Sequence, residues 1–230
     1  IQGGYKGKQI VGVQNEKELN KLLTSVTYRA KIHDWTDLPK QIYIPRQLKM
    51  TTKQQKIYKQ MEDDFVVQVN NEDIVAQMVV TQYGKLQQIT SGFIIDESKQ
   101  WHLVEENPPK LQEIHNIMDE INGKLLIPFV FKYSGAFLKA KLNDYNPAFL
   151  GGGMTKDEIK EQKDKFNNDD SCKICLIQPS SHKYGHTLLG SKKERCSTMY
   201  MYENSYSLDD RDQVERRILR HGQDADSCVY

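Results

Sequence analysis

The sequence predicts an α/β fold: a mostly parallel sheet with helices on both faces. Three observations carry this. From Pro109 onward, short β-rich runs alternate with helix-patterned stretches of ten to fifteen residues. Residues 125–131 form a continuous apolar run, the signature of a strand covered on both faces. Helix-start signals such as Thr155 with Glu158 fall between the strand-like runs.

In the first 108 residues the pattern is mainly helical. Asn15 with Glu18 forms a capping-box pattern ahead of Leu19, Leu22 and Leu23, the apolar face of a short helix. Residues 41–48 alternate through Ile42, Ile44 and Leu48 and read as a strand, in which Pro45 demands an edge or a bulge. Thr51 or Thr52 caps the next helix, with Tyr58, Met61 and Phe65 at spacings of three and four. A further helix is expected from about Asp73 to about Ile89. Residues 93–97 are a short apolar strand ending in Asp96 and Glu97, read as a turn before Trp101.

Pro109 sits well at a first helical turn, and Leu111, Ile114, Ile117, Met118 and Ile121 make an apolar stripe that Gly123 stops. The 125–131 strand follows, although Pro128 cannot donate to a central ladder and puts the strand's register in question. Residues 136–142 read as a helix, 148–150 as a strand and Gly151 to Gly153 as a turn. Thr155 opens a helix that closes near Phe166. Residues 173–177 and 197–202 are strands, 213–223 a helix, and 226–230 a last strand. In such a sheet, ligands gather at the carboxyl ends of the strands.

No apolar run reaches eighteen residues, so no membrane span is expected. The chain opens on Ile1 without a signal-peptide pattern and closes within a strand, so a piece of a longer protein is expected. The net charge of +1 conceals an asymmetry. Residues 1–60 carry twelve Lys and Arg against four Asp and Glu, while residues 61–122 carry three against twelve. The basic part could follow a nucleic acid backbone or pack on the acidic part. Four cysteines do not make a secreted disulfide scaffold. Cys172 and Cys175 have C-x-x-C spacing but lie in a β-rich apolar run with no second ligand pair, and read as buried thiols. His182 and His186 lack a third ligand, so no metal site is expected.

Residues 213–223 hold the chemistry. On a helix, Gln213, Arg217 and Arg220 fall at i, i+4 and i+7 and share one face, while Val214 and Ile218 anchor the other. Gly222 ends the helix. Two guanidiniums that stay charged can fork onto phosphate oxygens and stabilise charge in phosphoryl transfer.

The pattern Gln213, Arg217, Arg220, Gly222, Gln223 resembles the last helicase motif of the Swi/Snf-type DNA translocases, within helicase superfamily two. Arg29 with Lys31, Leu38 with Pro39, Met50 with Thr51, Gln54 and Tyr58 are similar to the landmarks that lead into the second motor lobe of that family. Residues 86–93 resemble the next landmark. Residues 178–188 are similar to the penultimate motif: Gly185, Thr187 and Leu188 fit, with Thr in place of the usual Asn and Ser180 and Ser181 in place of a Gly pair. Asp96 and Glu97 imitate a magnesium-binding motif, but no G-x-x-x-x-G-K-[ST] loop precedes them.

The resemblance implies a RecA-like three-layer αβα lobe at 109–230, the second lobe of an ATP-dependent DNA translocase. Residues 1–108 would be a mainly helical linker and insertion from a first lobe not in this chain. It implies that Arg217 and Arg220 act catalytically as arginine fingers and that Gln213, Gly185 and Thr187 contact the nucleotide. Lys132, Tyr133 and Ser134, at a strand end and helix start suited to phosphate, would contact the DNA backbone together with Ser180 and Ser181. ATP and Mg would be held mainly by the first lobe, with neither tightly bound here, and the chain alone would be inactive. Duplex DNA and the first lobe are the expected partners, with no membrane, in the cytoplasm of a bacterium or phage-infected cell. The alternatives are a non-enzymatic nucleic-acid-binding or adaptor domain, or a lobe of another superfamily-two motor such as an RNA helicase or restriction motor.

Overall fold

The structure is a computed structural model that describes residues 2–3, 9–10, 14–27, 38–69, 72–75, 79–181 and 187–230. The chain divides into two units, Ile1–Asp37 and Leu38–Tyr230. The first contains β1 (Gln2–Gly3) antiparallel to β2 (Gln9–Ile10), then α1 (Glu16–Val26). The expected capping box at Asn15 is not made. Asn15 adopts the left-handed conformation with φ 56°, and its side chain does not cap the helix. Arg29, Lys31 and Trp35 lie outside the described residues.

The second unit opens with β3 (Lys40–Ile42), shorter than the strand expected at 41–48. The ladder stops before Pro45, which has no N–H to give. Next comes α2 (Thr52–Asp64), capped by a reciprocal box between Thr51 and Gln54. Phe65, expected inside this helix, is instead its left-handed C-cap at φ 58°. The helix expected across 73–89 is corrected. Residues Glu72–Val75 form β5, antiparallel to β4 (Val66–Val69), and α3 spans only Val79–Thr90. Val67, Val69 and Ile74 point into one core with Met61 and Ile89, so the hairpin buries them on its inner face. The turn expected at Asp96 and Glu97 joins β6 (Phe93–Ile95) to β7 (Trp101–Leu103).

Then follow α4 (Pro109–Glu120), β8 (Leu125–Pro128), α5 (Lys132–Lys141), β9 (Ala148–Leu150), α6 (Lys156–Asn168), β10 (Ile174–Ile177), β11 (Thr198–Met199), α7 (Leu208–Glu215) and β12 (Ser227–Val229). Six strands form one sheet in the order β3-β12-β11-β8-β10-β9, every neighbouring pair parallel. Pro128 keeps its register opposite Ile177, as the last residue of β8, and the next amide, from Phe129, donates to the Ile177 carbonyl at 2.9 Å. The strand ends at Pro128, three residues before the apolar run does, and the amides of Val130 and Phe131 donate to a side chain, Glu203, instead of a neighbouring strand.

Strand alternation builds the layers. Leu125 and Ile127 face one side, among Leu111, Ile114 and Ile117 of α4 and Leu138 of α5. Leu126 faces the other, among Phe166 of α6, Val214 of α7 and Ile218. Each such side chain taken fully out of water contributes about 2 kcal/mol. The fold is thus three-layered αβα. Cys172, Cys175, Cys196 and Cys228 are buried in the second core. Buried Lys124, just before β8, donates to the carbonyls of Phe166 (2.6 Å) and Asp169 (2.7 Å), locking the end of α6 to the sheet. Charge complementarity between the basic and acidic segments takes one visible form. Arg46 pairs with Glu113 at 3.1 Å and with Glu120.

Candidate functional site

The predicted arginine helix is broken. Ser207 caps α7 by accepting from the Asp210 amide at 3.2 Å, and the helix ends at Glu215. Arg216 caps it, and 216–222 continue as turns to Gly222, whose φ of 92° is one that glycine adopts without strain. Gln213, Arg217 and Arg220 therefore do not share one helical face. Tertiary contacts organise the segment instead. The Gln223 amide donates to the carbonyls of Cys196 (2.9 Å) and Ile218 (3.1 Å). Arg195 reaches the Gly222 carbonyl at 3.1 Å while pairing with Asp224 at 2.7 Å. Ile218, wholly buried, holds the middle of the turn in the core.

This bolted turn lies beside the 187–189 segment, touching it through the Arg217 backbone and the Arg220 guanidinium. The Leu188 amide donates to the Arg217 carbonyl at 3.3 Å. Arg220 donates from Nη1 to the Thr187 hydroxyl at 3.2 Å. The Thr187 carbonyl in turn accepts from Asn167 Nδ2 at 2.9 Å, tying the loop to the end of α6. Arg217 is only 4% exposed. Burial lowers its affinity for the proton, and the positive charge of Arg220 lowers it further. Gln213 stands apart from the pair. Its amide donates to both carboxylate oxygens of Asp209 at 2.9 Å. Gly185 lies outside the described residues.

The predicted DNA contacts gather at the strand carboxyl ends. Gln178, directly after β10, donates to the Val130 carbonyl at 2.9 Å and accepts from the Gly152 amide (3.0 Å) and the Ser181 hydroxyl (3.2 Å). One side chain thus joins the loops that follow β8, β9 and β10. Ser180 and Ser181 are exposed in the 3-10 turn 179–181, which packs near α7.

Lys132 is exposed at the start of α5, which begins four residues earlier than predicted. Ser134 is fully buried and donates to Glu203 Oε1 at 2.5 Å. Glu203 Oε2 accepts from the amides of Val130 (2.8 Å) and Phe131 (3.0 Å). A carboxylate of the chain itself therefore sits where the α5 amides and dipole favour an anion. It holds the 130–134 loop, leaving Lys132 and Tyr133 at the surface.

Glu203 and Gln178, which hold these loops, are residues that sequence reasoning missed. Their only signal is position: each is a polar residue at or just beyond the carboxyl end of a buried strand. A cavity of about 840 Å³ lies beyond β3, β12 and β11, bounded by Tyr43, Arg46, Tyr200, Arg211 and Tyr230. None of the predicted site residues lines it.

No protein-family model and no curated protein sequence matches the chain. Solved structures do. The C-terminal part of the Fun30 ATPase domain superposes with a TM-score of 0.56 at 16% identity, over 84% of each chain. The Sulfolobus solfataricus SWI2/SNF2 ATPase core in complex with dsDNA gives 0.59 at 21% identity, over 97% of this chain and 47% of that one. The C-terminal domain of the S. solfataricus enzyme gives 0.51 at 18% identity, over 71% of this chain and 72% of that one. The fold is similar to a SWI2/SNF2 C-terminal lobe. It is α/β and RecA-like, as the sequence predicts. The chain spans about half the length of the ATPase core it matches.

Proposed function

We propose that this chain is the second motor lobe of an ATP-driven DNA translocase. The observation that carries the reading is the arginine cluster: buried Arg217 beside Arg220, braced by Thr187, on a parallel αβα lobe. The chain contains no phosphate-binding G-x-x-x-x-G-K-[ST] loop. In this reading ATP and Mg are held by a companion lobe of the same polypeptide. When the lobes close, Arg217 and Arg220 meet the transferring phosphoryl group and stabilise its developing charge. Excluding water strengthens that interaction, and a side chain already held by the fold costs little reorganisation. Thr187, which Arg220 meets, borders the nucleotide.

DNA runs past the strand-end loops, with Lys132, Tyr133, Ser180 and Ser181 against its backbone and Ser134 supporting the loop through Glu203. One of the similar structures was solved in complex with dsDNA, which supports a duplex as the track. Because Gln178 joins three of these loops and the turn at 179–181 packs near α7, closure on ATP would be felt at the DNA contacts.

The experiment is hydrolysis of ATP by the gene product that carries this chain, with and without duplex DNA. Hydrolysis should be DNA-stimulated, and Lys132→Ala should raise the DNA concentration needed for half-maximal stimulation and lower the salt dependence by about one counterion, as the loss of one phosphate contact does. Hydrolysis indifferent to DNA in the wild type would sink the reading.

A further inference from the structure

An exposed aromatic stack lies beside the proposed DNA loop. Trp101, at the start of β7, is 54% exposed. Its ring stacks on Tyr133 with centroids 4.3 Å apart and planes at 27°. Tyr133 is stacked in turn on Phe137 (6.1 Å, 22°) and packed against buried Phe93 at 4.6 Å. The indole therefore has one face supported by a ladder of rings and the other open to solvent.

The mount is stiff. Asp96 accepts from the Gln100 amide at 2.8 Å and pairs with His102 at 2.8 Å, closing the 96–100 turn. Lys85 donates to the Ile95 carbonyl and lies near both Asp96 and Glu97, offsetting their charge. Lys99 in the turn and Lys132 next to Tyr133 are exposed. A half-open indole with exposed lysines in the same turn and beside its supporting ring is the kind of equipment with which proteins hold an unpaired nucleobase. The ring offers a π-face and the lysines meet the backbone on either side.

We propose that Trp101 is a stacking platform for an unpaired DNA base, with Tyr133 as its support and Lys132 and Lys99 on the flanking phosphates. The inference rests on the proposed DNA contact at 130–134 and extends it to the β6–β7 hairpin. It assigns the open face of Trp101 to an unpaired base, at a strand end or bubble, beside the backbone contact made at 130–134.

The chain has two tryptophans, Trp35 and Trp101. In a Trp35→Phe background the emission reports on Trp101 alone. Titration with oligothymidylate should quench it, whereas a blunt duplex of the same length should not. Trp101→Ala should weaken oligothymidylate binding about tenfold, as the loss of one base–aromatic stack does, and Trp101→Phe should restore most of it. Lys132→Ala should weaken both DNA forms. Binding without quenching, and with Trp101→Ala equal to wild type, overturns the platform but leaves the DNA contact standing. Equal quenching by blunt duplex overturns the assignment to unpaired bases. No binding of either DNA overturns both the platform and the reading beneath it. A melting temperature for each variant separates loss of contact from loss of fold.

Discussion

The Arg220 guanidinium donates to the Thr187 hydroxyl at 3.2 Å, and these residues are thirty-three positions apart. The bond joins the turn after α7 to the segment after β10. It places Arg220 next to a hydroxyl that can share a phosphate oxygen with it. The same turn carries Arg217, buried and repelled by its neighbour. Burial and the neighbouring positive charge both lower the proton affinity of Arg217.

Removing the acceptor tests the pairing. Thr187→Val keeps the shape and loses the hydroxyl. A hydrogen bond to a charged group on a partly exposed surface contributes about 1 kcal/mol, so ATP hydrolysis by the gene product should slow about fivefold. The melting temperature should hold, because Thr187 is exposed. An unchanged rate would separate Thr187 from the arginine site.

Glu203 supplies the second test. Its carboxylate accepts from two amides and a buried hydroxyl at the head of α5. Glu203→Gln removes the charge and sets a donor against donors. The change should cost about 1–3 kcal/mol in urea unfolding, and Glu203→Ala no less. Wild-type stability in both variants would mean that the carboxylate does not hold the loop.

The four cysteines give a pH-dependent test. All are buried. Burial pushes the Cys228 thiol from 9.0 to about 11 and raises Cys172, Cys175 and Cys196 as well. A raised acid is favoured in its neutral form by the fold. That contribution is therefore fully present below the ordinary thiol range and lost as pH rises, for Cys228 between about 9 and 11. At pH 8 a thiol reagent should modify the native protein slowly and titrate all four thiols once urea unfolds it. Unfolding free energy should decline above pH 9. Rapid native modification of a thiol would place it at the surface.

Much of the sheet was legible because β8 and β10 are unbroken runs of buried apolar residues, and two helix starts carry a recognisable signal. Thr51 and Thr155 cap as their spacing predicts. Other features were illegible for identifiable reasons. Residues 72–75 form a strand paired with 66–69 where the expected helix was to start at about Asp73, because Ile74 and Met78 fit helical spacing as well as Val67, Val69 and Ile74 fit an antiparallel strand pair. The break after Glu215 has no local signal. The residues from Arg216 to Arg220 are good helix formers, and the bonds of Gln223 to Cys196 and Ile218 override them. The arginines were legible as residue types, and the bond that aims one of them was not. Glu203 and Trp101 each gain meaning only from Ser134 and Tyr133, which lie far along the chain.

The central claim is that Arg220 acts on the transferring phosphoryl group rather than on nucleotide binding. Hydrolysis and nucleotide affinity should be measured side by side for Arg220→Ala in the gene product that carries this chain, with saturating duplex DNA. The turnover rate should fall by at least about a hundredfold, approaching the effect of losing an arginine finger, while the dissociation constant for ATP changes by no more than about threefold. Turnover equal to wild type, with the variant folded and bound to DNA, would contradict the account.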